Sequence, residues 1–262
     1  MQFGLCTTYD PAALRVCKDS GADFVELNFT ALASLTPEEI DGVRRRLDDL
    51  ALPCLSCNCM FPGDRIRLTG ARRDMDAAQA YLNAALDRLA PLGVRHVVFG
   101  SAGARSTEPG GDTAQAFAEL AGFLREVAAP ALRAHGWVCS IEPLSECNLI
   151  RTTTDGRRLM DAVAQPEVRL LADFYHVYAT GEDPRDTAAC VPYLRHVHTA
   201  ARHGRFFPTG ADMDDCLSML RMLKDGGYSG CVSVEAIPRP EADPLDERRE
   251  ALRVLREAEA RL

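Results

Sequence analysis

Residues 169–199 read RLLADFYHVYATGEDPRDTAACVPYLRHVHT, and the way this stretch divides decides the fold. RLLADF (169–174) and LRHVHT (194–199) are short apolar runs of strand length, and the segment between them holds a short helix expected at 184–190. Strand, helix, strand within about 30 residues is the unit of a parallel sheet.

The same unit recurs in both directions along the chain. Upstream strand candidates are QFGLC (2–6), DFVELN (23–28), PCLSCNC (53–59), RHVVFG (95–100) and WVCSIEP (137–143), and CVSVEAI (231–237) follows downstream. Each is bounded by breakers, which makes eight strands in all. Thr36 opens TPEEIDGVRRRLDDL with Glu39 three residues later, a capping box ahead of an amphipathic helix. Two longer helices, 71–93 and 113–136, carry apolar residues at three-to-four spacing and end near Gly93 and Gly136. Further helices are expected at 10–19, 154–164, 211–225 and 242–262.

A chain of 262 residues suits one closed (β/α)8 barrel, which needs about 250 residues, so residues 1–262 are read as a single domain. The alternative, an open doubly wound sheet, would place a dinucleotide fingerprint after its first strand. None is there, and GSAGAR after the fourth strand does not match that fingerprint.

A formal charge of −8 and 26% charged residues, with a pI near 5.3, argue against a protein that works by neutralising nucleic-acid phosphates. No window reaches the roughly 18 apolar residues of a membrane span, and MQFGLCTTYD lacks a secretory pattern. A cytoplasmic location is expected. Ten cysteines are too dilute for a disulfide scaffold, and Cys6, Cys139 and Cys231 fall inside strand-like runs as reduced core thiols. CLSCNC brings Cys54, Cys57 and Cys59 together, but no second CxxC pair completes a four-thiolate site.

In such a barrel the active site lies at the carboxyl ends of the strands. There the fifth strand offers Glu142, the sixth Asp173, the seventh His198 and the eighth Glu235. Taken singly, each could end its strand in a local ion pair. Four from consecutive strands, each after apolar residues that make an unpaired charge costly, form a hard, oxygen-rich set that suits Mn²⁺ or Mg²⁺.

The motifs IEPL at Glu142, LLADFYH at Asp173, HVHTA at His198 and VSVEAI at Glu235 resemble those of the sugar phosphate isomerase/epimerase superfamily. The likeness covers nearly the whole chain. That group is xylose isomerase-like in fold and includes ketose 3-epimerases, hydroxypyruvate isomerases and inosose dehydratases. The resemblance implies one divalent metal, Mn²⁺ first with Mg²⁺, Co²⁺ or Zn²⁺ as alternatives, held by Glu142, Asp173, His198 and Glu235. It also implies that Glu142 and Glu235 act as acid and base on a small carbohydrate, through an enediolate. His176 and Arg205, the latter in RFFP ahead of Pro208, correspond to substrate-binding residues. The Arg205 offset from His198 is one residue longer than in the ketose epimerases. After Glu142 the loop EPLSECN is short, and Glu146 is the counterpart of a substrate-contacting glutamate.

Weaker signals surround this set. FGSAGAR places Ser101 and Arg105 after the fourth strand, where they could hold a substrate phosphate. His96 and His196 are expected as satisfied structural histidines, His135 as a helix-end cation, and His203 as a loop residue or substrate contact. Trp137 begins a core strand, while Phe206 and Phe207 suggest a lid or padding for the mouth loop.

An abasic-site nuclease would need histidines ending the third and fourth strands, where this chain has Cys59 or Met60 and Gly100. An inosose-type dehydratase or a hydroxypyruvate-type isomerase could use the same site. A barrel that only binds sugar or metal is the reading from another class, and the paired glutamates argue against it. Nucleic acid and membrane are not expected partners, and a homo-oligomer stays open.

Overall fold

The computed structural model describes residues 1–63 and 65–262. Eight parallel strands close on themselves in sequence order: β1 (Gln2–Thr7), β2 (Phe24–Asn28), β3 (Cys54–Asn58), β4 (His96–Phe99), β5 (Val138–Ile141), β6 (Val168–Asp173), β7 (Leu194–Thr199) and β8 (Cys231–Val234). Closure comes from β1 pairing with β8, Gly4 opposite Ser233 and Leu5 opposite Val234, and it leaves no sheet edge exposed.

The helices are α1 (Pro11–Asp19), α2 (Phe29–Ala33), α3 (Pro37–Asp49), α4 (Met75–Leu89), α5 (Ala102–Arg105), α6 (Thr113–Phe123), α7 (Ala129–His135), α8 (Thr153–Val163), α9 (Phe174–Thr180), α10 (Pro184–Cys190), α11 (Met213–Asp225) and α12 (Pro244–Ala260). The capping box at Thr36 forms as expected, with Thr36 and Glu39 bonding each other's backbone. The helix expected across 113–136 is broken by a π turn at Leu124–Ala128. Pro130 follows it, and a residue without an N–H and with a bulky ring disturbs the ordinary ladder.

Three short helices, α2, α5 and α9, were not expected. Each starts within three residues of a strand's end, and in two of them the strand's last residue is the cap: Asn28 Oδ1 accepts from Ala31 N and Asp173 Oδ1 from Tyr175 N.

Outward strand residues such as Val25, Leu27, Val97 and Val197 are buried in the layer shared with the helices, each worth about 1.5–3 kcal/mol on burial. The barrel interior is different. On its axis Gly4 leaves room for the Phe24 ring, which would lie 2.4 Å from a Cβ at residue 4. Above Phe24 comes a polar layer of Glu26, Ser56, His96, Ser140, His196 and Ser233, all buried. No helix among the described residues is long and apolar enough to cross a membrane.

Candidate active site

The alternation that turns every second strand residue into the barrel carries this interior row to its carboxyl end. In β7, His196 and His198 share a face, with His196 in the polar layer and His198 one step higher. Glu142 and Glu235 stand one residue beyond the ends of β5 and β8, shorter strands than the sequence indicated, and Asp173 is the last residue of β6. One ligand atom from each of Glu142, Asp173, His198 and Glu235 lies within 4.8 Å of the others.

The imidazole is the hub. His198 Nδ1 is 3.3 Å from Glu142 Oε1 and 3.5 Å from Glu235 Oε2. Arg205 reaches the set from the loop after β7, pairing with Glu235 Oε2 and lying 3.3 Å from Asp173 Oδ2. Its backbone sits at φ 55°, an unusual region for a side chain of this size, and its guanidinium stacks 5.0 Å from the Tyr175 ring. Asn58, at the end of β3, donates to Glu235 Oε1 at 3.2 Å.

The charges are strongly perturbed. Burial, then the Glu142 and Glu235 carboxylates, push Asp173 up to about 7. Burial and the Glu235 carboxylate also raise Glu142, despite the pull of His198. Burial opposes ionisation of Glu235, yet His198 and then Arg205 hold it down at about 2. Burial opposes charging of His198 too, and Glu26 is the foremost of the anions that hold it well above the usual range.

These residues fit a divalent cation. Three carboxylates and an imidazole converge with one guanidinium to offset them, a donor set suited to a hard metal. Ligand atoms at ordinary metal bond lengths of about 2.0–2.2 Å lie up to about 4.4 Å apart, so a small inward adjustment from 4.8 Å closes the set. At this mouth the buried Asn58 Oδ1 and His176 Nε2 are without a hydrogen-bond partner among the described residues.

His176, buried on α9, is held through Nδ1 by Ser145 Oγ at 2.9 Å, with its Nε2 3.7 Å from Asp173 Oδ2. Burial, then the Arg205 charge, lower it to about 4, so it is a neutral imidazole at pH 7. Glu146 is exposed, 3.5 Å from His176 Nδ1. The structure therefore brings His176, Arg205 and Glu146 to the same mouth as Glu142, Asp173, His198 and Glu235.

Ser101 and Arg105 part from the expectation of a phosphate contact. Arg105 is fully buried, and it donates to the carbonyls of Gly100 and Glu142 and to Cys147 Sγ. Ser101 Oγ accepts from Phe61 N at 3.0 Å. The guanidinium thus braces the backbone under Glu142 and presents no edge to an anion.

Of the two readings of the aromatic pair, Phe207 takes the padding role and not that of a lid, because it is buried beneath the Arg248 guanidinium, whereas Phe206 is half-buried under Arg239. His96 bonds Ser56 and Ser140 at 2.8 Å each, and His135 bonds the Ala131 carbonyl and Asp87. His203 is exposed.

Glu26 and Gly100 were missed as site residues. Glu26 sits in mid-strand in DFVELN, and an acid inside an apolar run was the available signal. A Cβ at Gly100 would fall 2.2 Å from Glu142 Oε2, so the glycine is the seat of that carboxylate. Asn58 lay in the cysteine cluster and drew no reading of its own.

The model of the xylose isomerase-like TIM barrel matches residues 14–258. No curated protein sequence matches the chain. Among solved structures, 3-keto-D-glucoside 4-epimerase from E. coli is 23% identical with a TM-score of 0.82, over 98% of this chain and 99% of that one. D-psicose 3-epimerase from Clostridium cellulolyticum H10, crystallised with D-tagatose, is 18% identical with a TM-score of 0.87, over 99% of both chains. The IOLI protein with a bound zinc atom is 16% identical with a TM-score of 0.77, over 100% of this chain and 99% of that one. At these identities the structures share a fold, while the family model covers seven of the eight strands, β2 to β8, and the four residues that converge at the mouth. The chain belongs to the xylose isomerase-like TIM-barrel family.

Proposed function

We propose that this protein is a divalent-metal-dependent epimerase or isomerase of a small carbohydrate, with manganese as its preferred ion. The observation that carries the reading is the convergence of Glu142, Asp173, His198 and Glu235 within 4.8 Å at the carboxyl end of the barrel. The sugar epimerases that share its fold support it.

A bound divalent cation would polarise a substrate carbonyl and the neighbouring hydroxyl, making the intervening C–H acidic and stabilising an enediolate. Glu142 and Glu235 reach the centre from β5 and β8, 3.3 Å and 3.5 Å from His198 Nδ1. One removes the proton and the other returns it. Return to the opposite face of the same carbon inverts the centre, and return to the adjacent carbon exchanges aldose for ketose. Arg205 holds the Glu235 carboxylate in place. His176 offers its unpaired Nε2 to a substrate oxygen, and Glu146 stands at the rim to meet a more distant hydroxyl.

The test is to strip the protein with a chelator, reload it with Mn²⁺, Mg²⁺, Co²⁺ or Zn²⁺ in turn, and assay a panel of ketoses, ketose phosphates, inososes and hydroxypyruvate. Interconversion of one sugar pair, lost on stripping and restored best by Mn²⁺, is the expected outcome. Dehydration of an inosose would move the protein to the dehydratase chemistry of the same site. Tight metal binding with no turnover across the panel would overturn the proposal in favour of a binding role.

A further inference from the structure

Below the four ligand residues, Glu26 on β2 has no exposed surface. A lone carboxylate in that position is costly, and its two oxygens are fully used. Oε2 accepts from Ser233 Oγ at 2.8 Å and lies 2.7 Å from His196 Nε2, while Oε1 lies 3.0 Å from His198 Nε2. The pairing of β2 with β3 shifts register between Val25 and Glu26, an irregularity of the kind that re-aims a side chain beside a site.

The chemistry of this contact is one-sided. An ionised carboxylate only accepts hydrogen bonds, so both facing imidazole nitrogens must carry hydrogen. His198 is therefore fixed with hydrogen on Nε2, and its Nδ1 faces Glu142 and Glu235. His196 holds the carboxylate at its other oxygen, which keeps it from turning away from His198.

We propose that Glu26 is a positioning residue that fixes the tautomer and ring orientation of His198, and so sets the affinity of the site for its divalent cation. The inference rests on the metal-dependent reading above. Partners of this kind behind a metal-bound histidine typically contribute about 10- to 100-fold to metal affinity. The same interior offers a competing arrangement, in which Cys6, Glu26 and His198 have ligand atoms within 4.8 Å of one another. A soft cation held there would need His198 Nε2 free of hydrogen, the opposite tautomer.

Glu26→Gln is nearly isosteric, but an amide offers one acceptor and one donor. It must fail one of the two imidazoles or reverse its tautomer. Ser233→Ala leaves the carboxylate facing both rings.

Two measurements on the full chain test the proposal. Long-range ¹H–¹⁵N spectra of the zinc-loaded wild type, with His198 assigned by the loss of its signals in His198→Gln, should show hydrogen retained on Nε2. Competition titration with Mn²⁺ should show Glu26→Gln weaker by about 10- to 100-fold and Ser233→Ala within about threefold of wild type, with melting temperature recorded for each. A purely structural Glu26 would lower the melting temperature of Glu26→Gln and leave its Mn²⁺ affinity unchanged, which overturns the positioning role alone. A bare Nε2 on His198 in the wild type overturns it in favour of the thiol-containing set. A wild type that holds no divalent cation overturns the metal-dependent reading itself.

Discussion

Replacing Gly100 by alanine should disable the site while leaving the barrel standing. The added Cβ would meet Glu142 Oε2 at 2.2 Å and Cδ at 3.4 Å, so the carboxylate oxygen must retreat by about 1 Å to reach an ordinary contact. The barrel itself has little to lose, because the clash falls on the free end of a side chain and not on backbone. Overpacking of this kind costs about 1 kcal/mol, which for a chain of this size lowers the melting temperature by about 2–4 °C. Function has no such slack. A displacement of about 1 Å at a reacting group costs on the order of 100-fold in turnover, and moving one of four ligands should weaken Mn²⁺ binding as well. Thermal melts of the metal-free variant, Mn²⁺ titration, and turnover of the sugar on which the wild type acts would be read together. Wild-type turnover and Mn²⁺ affinity in Gly100→Ala would refute the placement of Glu142 at the centre of the chemistry, and a barrel that fails to fold would refute the claim that only the carboxylate fills that space.

Other substitutions and conditions separate the remaining roles. Glu142→Gln and Glu235→Gln should each abolish turnover while partly sparing substrate binding, measured by calorimetry; full activity in both variants would remove the acid–base assignment. Arg105→Ala leaves the buried carbonyls of Gly100 and Glu142 without their donor, at about 1–3 kcal/mol each, so denaturant unfolding should show a clear loss; unchanged stability would mean the guanidinium is not the brace described. In the metal-free protein Asp173 titrates at about 7, above its ordinary value near 4. The unfolded chain releases that proton first, so this group's stabilising contribution is complete below about pH 4 and is lost as pH rises towards 7. The gain in melting temperature on adding Mn²⁺ should therefore widen from pH 5 to 7, with affinity rising up to about tenfold per pH unit for each proton displaced from Asp173 and His198; a gap independent of pH would contradict this.

The barrel was legible because each strand is a short apolar run between breakers, and the repeat survives even where Glu142 and Glu235 stand one residue past the ends of β5 and β8. The convergence of Glu142, Asp173, His198 and Glu235 was legible for a related reason, since a charged group at the end of a buried run has few bland explanations. What stayed hidden depends on contacts across the barrel. Glu26 shares its oxygens with residues on β7 and β8, more than 160 positions away in sequence, and no local pattern announces that. Arg105 looked like an anion contact because a guanidinium after a glycine-rich turn usually faces solvent, yet here α5 turns it inward beneath Glu142. Phe207 joined Phe206 in the lid reading because adjacent rings look alike on paper, and tertiary packing buries only Phe207.

The central claim is that two glutamates move a proton beside a carbonyl. It is tested most directly by incubating the manganese-loaded protein with the sugar panel in deuterated water and following label by NMR. The account predicts deuterium at a carbon adjacent to the carbonyl of one substrate class, lost on chelation and in the double variant Glu142→Gln with Glu235→Gln. Interconversion of a sugar pair without label from solvent, or exchange that persists when both glutamates are replaced, would contradict it.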